Sequence, residues 1–423
     1  MRIALIHYTA PPVAGGVERV VGHQSVLLAD AGHDVRIVAG RGESPDSRVD
    51  LRSVPLVDSL DPDVVRVQRV LDAGREPGSF IGLRDRLIDE LAVALEGCDV
   101  ALCHNVCSLN KNLALTAALH ELSGRPGLPR LVLWHHDLAW TQARFGSSLH
   151  DGYPWDLLRT AWPGVVQVAI SDTRRRELAD LTGLPSSAIT VIPNGVDIAA
   201  LLRLDPETVR MLARSDMPVS DPLLLMPARV IPRKNIELGL QVVAAMRAMG
   251  RRAGLVVSGP TDPHEVGAPA YLDSLLRLRS TLGLDEAVWF PGVGTESGLR
   301  DAVVQDLYAV ADALFLPSHD EGFGIPVLEA AVWRLPIVCS DLPVLREVAG
   351  DAALYLAQDE DPAEVARRVL VLLDRDPVAR LAGHTRRTAS WEAVYRTMIG
   401  PLLRSLTDDP ASTGEPKTVT QSP

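Results

Sequence analysis

The stretch IALIHYTAPPVAGGVERVVGHQSVLLADAGHDVRIV, residues Ile3 to Val38, decides the fold. Its first apolar run, Ile3 to His7, is too short for a signal peptide and reads as a buried strand. A Pro/Gly loop from Ala10 to Gly16 follows, then a helix carrying Val17, Val20, Val21, Leu27 and Leu28 on one face. Gly32 is placed to end that helix, and His33 to Val38 starts a second strand. Strand, loop, helix and strand in this order form one unit of a parallel sheet wound with helices.

The same grammar continues to the end. Further strands are expected at Asp99–Cys103, Leu131–Trp134, Val165–Ile170 and Thr190–Ile192, after which Pro193-Asn194-Gly195-Val196-Asp197 marks a turn out of the first domain. The pattern restarts at Leu223–Met226 and runs through Leu255–Val257, Val288–Phe290, Ala313–Leu316, Ile337–Cys339 and Leu354–Leu356. The expected fold class is therefore α/β, with two Rossmann-like, doubly wound domains facing each other across a cleft. The length, 423 residues, suits two cores rather than one. The segment Val49 to Leu95 is less diagnostic, and the polar tail from Thr407 to Pro423 is expected to be disordered.

Charge excludes some functions. A net charge of -12 argues against a protein that mainly neutralises nucleic-acid phosphates or lies on anionic lipid. No apolar run is long enough to span a membrane, and no convincing basic amphipathic surface is visible, although peripheral contact with a lipid acceptor stays open. Four cysteines (Cys98, Cys103, Cys107, Cys339) without pairing spacing read as reduced thiols and a cytoplasmic setting. Cys103-His104-x-x-Cys107 lacks a second ligand cluster, so no metal site is expected there. Among 42 basic residues only Lys111, Lys234 and Lys417 are lysines, so a lysine inside a motif is informative.

The chemistry concentrates in Asp320-Glu321-Gly322-Phe323-Gly324-Ile325-Pro326-Val327-Leu328-Glu329. A strand ends there in an acidic, glycine-rich turn, and Pro326 opens a helix. Backbone N–H groups of Phe323, Gly324 and Ile325 at such a helix start suit anionic or hydroxyl oxygens, and Glu321 and Glu329 offer acceptors to sugar hydroxyls. The plainer alternative is a helix start stabilised by nearby acids.

This E-x7-E segment resembles the signature of the retaining family 4 glycosyltransferases of the GT-B fold, the group 1 glycosyl transferases. Other segments are similar to that family too. Pro193 to Asp197 resembles its inter-domain turn, Ser340 to Gly350 its next strand-to-helix segment, and Trp391 to Tyr395 its C-terminal helix, which packs back on the first domain. The resemblance therefore implies a first domain over residues 1–197 completed by a helix at about 388–406, and a donor domain over 198–387. Arg229 and Lys234 resemble the R-x4-K element that clamps the donor diphosphate, where charge-assisted contacts are strong. Gly15 and Gly16 resemble the glycine-rich loop near the donor phosphates, though a lone Gly-Gly is usually only a turn; the spacing is not that of a nicotinamide reader. His136 resembles the histidine that contacts the donor sugar, while His135, His104 and the run Arg174 to Arg176 read as structural or solvated. Gly259 and Val293 complete the expected donor contacts.

The implied activity is retaining transfer of a hexosyl group, of glucosyl or mannosyl type, from a nucleotide-sugar to an acceptor hydroxyl on a small molecule, glycan or lipid. Catalytic roles fall to Glu321, His136, Lys234 and Arg229, with no metal and no cofactor beyond a UDP- or GDP-sugar co-substrate. Replacing Lys234 or Glu321 by Ala is expected to abolish transfer and leave the fold intact. Alternatives are a nucleotide-sugar epimerase, which needs no acceptor, and an inactive sugar-nucleotide-binding protein. Ser258-Gly259-Pro260 resembles a segment of enzymes that build small soluble glycosides.

Overall fold

A computed structural model of the chain describes residues 1–262, 267–294 and 298–407. The expected disordered tail lies outside them apart from Thr407, the last residue of a helix. The chain forms two compact units, Val196–Ser390 and a unit built from Met1–Gly195 with the chain from Trp391 onward.

In the first unit the strands are β1 (Arg2–Ile6), β2 (Asp34–Ala39), β3 (Val49–Ser53), β4 (Val100–His104), β5 (Arg130–His135), β6 (Val166–Ala169) and β7 (Ile189–Val191). They form one sheet in the order β3-β2-β1-β4-β5-β6-β7, with all its pairings parallel. Strands β1 and β4 are buried on both faces, which is why they read as unbroken apolar runs. Strand β3 was not expected. It is an edge strand in which Asp50 and Arg52 alternate with Val49 and Leu51, and Arg36 of β2 holds Asp50 at 3.1 Å.

The helix Gly16–Asp30 follows β1 and ends as expected, with Gly32 in the left-handed region at φ 82°. Trp391, Val394, Ile399, Leu403 and Leu406 are buried; all but Trp391 join Ile3, Leu5, Val21 and Leu28 in one core. Burying each such side chain contributes about 1.5–3 kcal/mol. Gly195 is glycine for a steric reason, since a Cβ there would stand 2.4 Å from the Trp391 ring.

The second unit contains β8 (Leu223–Met226), β9 (Gly254–Val257), β10 (Val288–Trp289), β11 (Ala313–Leu316), β12 (Ile337–Ser340) and β13 (Ala353–Leu356), ordered β10-β9-β8-β11-β12-β13. Both sheets reverse their strand order once, between β1 and β4 and between β8 and β11. In open parallel sheets the carboxyl ends of the strands flanking such a reversal leave a crevice where ligands bind.

Candidate functional site

In the second unit the residues after β8 and β11 meet at that reversal. Pro232–Lys234 makes a single tight helical turn, and the left-handed Asn235 (φ 50°) passes the chain into the helix Ile236–Ala248. The N–H of His319 donates to the Arg233 carbonyl at 2.8 Å, stitching the two loops together. Lys234 Nζ thereby lies 2.5 Å from Glu321 Oε1, with the lysine side chain 10% and the glutamate 7% exposed. Ser318 Oγ donates to the same carboxylate at 2.7 Å. Arg233 Nη1 donates to the Asp320 carbonyl at 3.0 Å and stands 4.0 Å from Glu321 Oε2.

Arg229 is placed differently. Its side chain is 59% exposed and reaches Asp262 Oδ2 at 3.4 Å. Together Arg229, Ile231, Pro232, Arg233 and Asp262 line a concavity of about 430 Å³, a size suited to a small ligand. Gly259 forms its support: a Cβ there would stand 2.3 Å from the Ala228 carbonyl oxygen, so only glycine lets the chain after β9 approach Arg229. Val293 packs its partly buried side chain against the core of this unit.

The acidic turn is built as its glycines require. Gly324 caps the helix Ile325–Val332 in the left-handed region at φ 93°, and a Cβ there would meet Leu345 at 2.6 Å. Pro326 is the second helical residue, and no side chain caps this helix start. Phe323 and Ile325 are 55% and 59% exposed. Glu329 does not join the Lys234–Glu321 pair: its Oε2 accepts from Tyr308 Oη at 2.6 Å. Burial, and then this carboxylate, push the Tyr308 phenol well above its ordinary range.

A second cluster occupies the reversal of the first sheet. His7 follows β1, His104 ends β4 and His136 follows β5. His104 Nδ1 and His136 Nε2 are 3.1 Å apart, and His7 Nδ1 donates to the His104 carbonyl at 2.8 Å. Asn105, at φ 60°, turns its Oδ1 to accept from the backbone N–H of His136 (2.7 Å) and of Asp137 (3.1 Å). Burial, reinforced by His7, pushes the His136 imidazole down to about 3, so it is neutral at pH 7. His135 points elsewhere, with its Nε2 2.7 Å from Gln167 Oε1.

Gly15 and Gly16 start the first helix, but Glu18 from its first turn folds back over them. A Cβ on Gly15 would stand 1.9 Å from Glu18 Oε2, whereas one on Gly16 would meet open space. Glu18 Oε1 accepts from Thr9 Oγ1 at 2.7 Å and faces His7 Nε2 at 3.5 Å. The helix start beside the Gly-Gly turn thus already carries a carboxylate. Glu18, His7, Asn105, Arg233 and Tyr308 were not singled out from the sequence, because each acts through a partner distant in the chain. Arg174 and Arg175 pair with Glu177 and Asp172 of their own helix. Cys103 and Cys107 are buried free thiols, and among the described residues no group of three or more His, Cys, Asp or Glu is placed to hold a metal ion.

The chain is thus an α/β protein of two doubly wound parallel sheets, one with a buried Lys–Glu pair and an arginine-lined concavity at its reversal, where open parallel sheets bind ligands. Residues 14–200 match the family described as Glycosyltransferase Family 4, and residues 211–387 match Glycosyl transferases group 1. The chain belongs to the family 4 glycosyltransferases of the GT-B fold and is a glycosyltransferase. It is 30% identical to the D-inositol 3-phosphate glycosyltransferase of Kineococcus radiotolerans over 58% of this chain and 59% of that protein. It is 27% identical to the mannosylglucosylglycerate synthase of Thermotoga maritima over 84% of each chain. Identity to the MMP alpha-(1->4)-mannosyltransferase of Mycolicibacterium hassiacum is 28%, over 93% of this chain and 96% of the relative. No helix among the described residues is long and apolar enough to cross a membrane.

Proposed function

We propose that this glycosyltransferase moves a glucosyl- or mannosyl-type group from a nucleotide-sugar to an acceptor hydroxyl, with retention at the anomeric carbon and without a metal. The observation that carries the reading is Lys234, buried against Glu321 at the reversal of the second sheet and flanked by Arg229 and Arg233. A buried ammonium with a single carboxylate partner keeps donor capacity for a second anion, and arginines beside it suit diphosphate oxygens. Likeness over most of the chain to a mannosylglucosylglycerate synthase and to an MMP alpha-(1->4)-mannosyltransferase supports the sugar class.

In this reading Lys234, Arg229 and the uncapped helix start at Phe323–Ile325 neutralise the departing diphosphate, which stabilises the charge that grows as the glycosidic bond stretches. Glu321 orients the sugar, Glu329 accepts from ribose hydroxyls, and His136 steadies the sugar. The acceptor attacks from the face the diphosphate leaves, so no protein nucleophile is needed.

The test is a thermal-shift screen of UDP-, GDP-, ADP- and TDP-sugars in EDTA. A true donor at a hundred times its dissociation constant stabilises the fold by about 2.7 kcal/mol. Proton NMR of the product then reads the anomeric configuration. No shift with any of the four, or product only on adding a divalent metal, sinks the reading.

A further inference from the structure

His104 is fully buried, and its Nε2 has no hydrogen-bond partner among the described residues. Its ring lies against Trp134, centroids 5.2 Å apart and planes 28° from parallel, which fixes its orientation. Its Nδ1 faces His136 Nε2 at 3.1 Å. Burial holds both rings neutral at pH 7, pushing His104 well below its ordinary range and His136 to about 3. A hydrogen bond between the two facing nitrogens needs one hydrogen, carried by one ring or the other.

There are two ways to place it. If His136 Nε2 carries the hydrogen, His104 Nδ1 must be bare, and the neutral ring then holds its hydrogen on the buried, unpartnered Nε2. An unsatisfied buried N–H costs about 1–3 kcal/mol. If His104 Nδ1 carries it, the unpartnered Nε2 is a bare acceptor, and buried acceptors are left unsatisfied more often than orphaned N–H donors. His136 Nε2 is then an acceptor, and the second hydrogen of the pair sits on His136 Nδ1. Backbone geometry supports the same ring pose, since Asn105, next to His104, clamps the N–H groups of His136 and Asp137.

We propose that His104 is a positioning residue which holds His136 as the neutral Nδ1–H tautomer, so that His136 meets a sugar oxygen as a hydrogen-bond donor. Only the identity of that oxygen rests on the transferase reading; the tautomer does not.

The experiment is long-range proton–nitrogen NMR of the full chain labelled in histidine, at pH 7. The expected result is a protonated Nδ1 and a bare Nε2 on both His104 and His136. A protonated Nε2 on His136 overturns the proposal. Two variants add a functional readout. His104→Asn keeps an N–H close to the position of Nδ1 and should preserve both the His136 tautomer and kcat. His104→Leu removes the donor, and should move the hydrogen of His136 to Nε2 and lower kcat about tenfold, the loss of one good hydrogen bond. Equal losses in the two variants would mark a packing role and overturn the assignment. A His136 Nδ1–H tautomer in a protein that turns over no nucleotide-sugar would leave the proposal standing and refute the transferase chemistry proposed above instead.

Discussion

Removing one member of the Lys234–Glu321 pair should damage stability as well as activity, and the two effects can be separated. The side chains are 10% and 7% exposed and 2.5 Å apart. Taking away one partner of such a pair leaves a charge buried without compensation, at about 3–5 kcal/mol. For a unit the size of Val196–Ser390, each kcal/mol moves the midpoint by about 2–4 °C. Lys234→Ala and Glu321→Ala should therefore each lower the melting temperature by roughly 6–20 °C. Both variants are still expected to fold, at a lower midpoint than the parent. The pair Lys234→Met with Glu321→Gln removes both charges and keeps volume, so it should recover most of the lost stability and none of the activity. Calorimetry of the parent and these three variants, with transfer assays below the lowest midpoint, separates the two effects. Single variants that melt within 2 °C of the parent, or a double variant whose loss is the sum of the two, would refute the reasoning.

Four further outcomes are expected. Gly15→Ala must displace Glu18, whose Oε2 would lie 1.9 Å from the new Cβ, and should destabilise the first unit, while Gly16→Ala meets open space and should fold normally; if donor phosphate approaches the Gly16 backbone, donor KM rises in that variant, and an unchanged KM would remove Gly16 from the site. Glu18 is held down to about 2, first by its hydrogen bond to His7. Its folded value lies below its unfolded value, so the unfolded state binds the proton first, and this stability is present above about pH 4.5 and lost as pH falls towards 2. Glu18→Gln should lower stability at pH 7 and show a shallower decline in this window in acid denaturation. His135 and His136, neutral and pushed down to about 4 and 3, give the same sign at higher pH: stability is full above about 6.5 and falls as acid charges these rings in the unfolded state first. Tyr308→Phe removes the 2.6 Å bond to Glu329 and should raise donor KM several-fold with kcat little changed, as steady-state kinetics would show; a lowered kcat at constant KM would place Glu329 in the chemical step.

Much of the fold was legible because parallel strands buried on both faces appear as apolar runs between amphipathic helices. Leu223–Met226 and Ala313–Leu316 were read to the residue. Strand β3 was not, since Asp50 and Arg52 give an edge strand the look of a polar loop. In the site, the scarcity of lysine pointed to Lys234, and the glycine-rich turn pointed to Glu321. That they bind each other was not legible, because His319 and Arg233 join two loops 86 residues apart only once the sheet is formed. The same holds for Glu329, which the E-x7-E spacing groups with Glu321 but the helix turns towards Tyr308. His104 read as structural because a histidine at a strand end has no visible partner; its facing ring lies 32 residues on.

The most direct test of the central claim is calorimetric titration of the full chain with UDP, GDP and ADP in excess EDTA, repeated on the stabilised double variant Lys234→Met with Glu321→Gln. The account predicts that at least one diphosphate binds the parent without metal and that the double variant loses tenfold or more in affinity. Equal binding by parent and double variant, or binding only when divalent metal is restored, would contradict it.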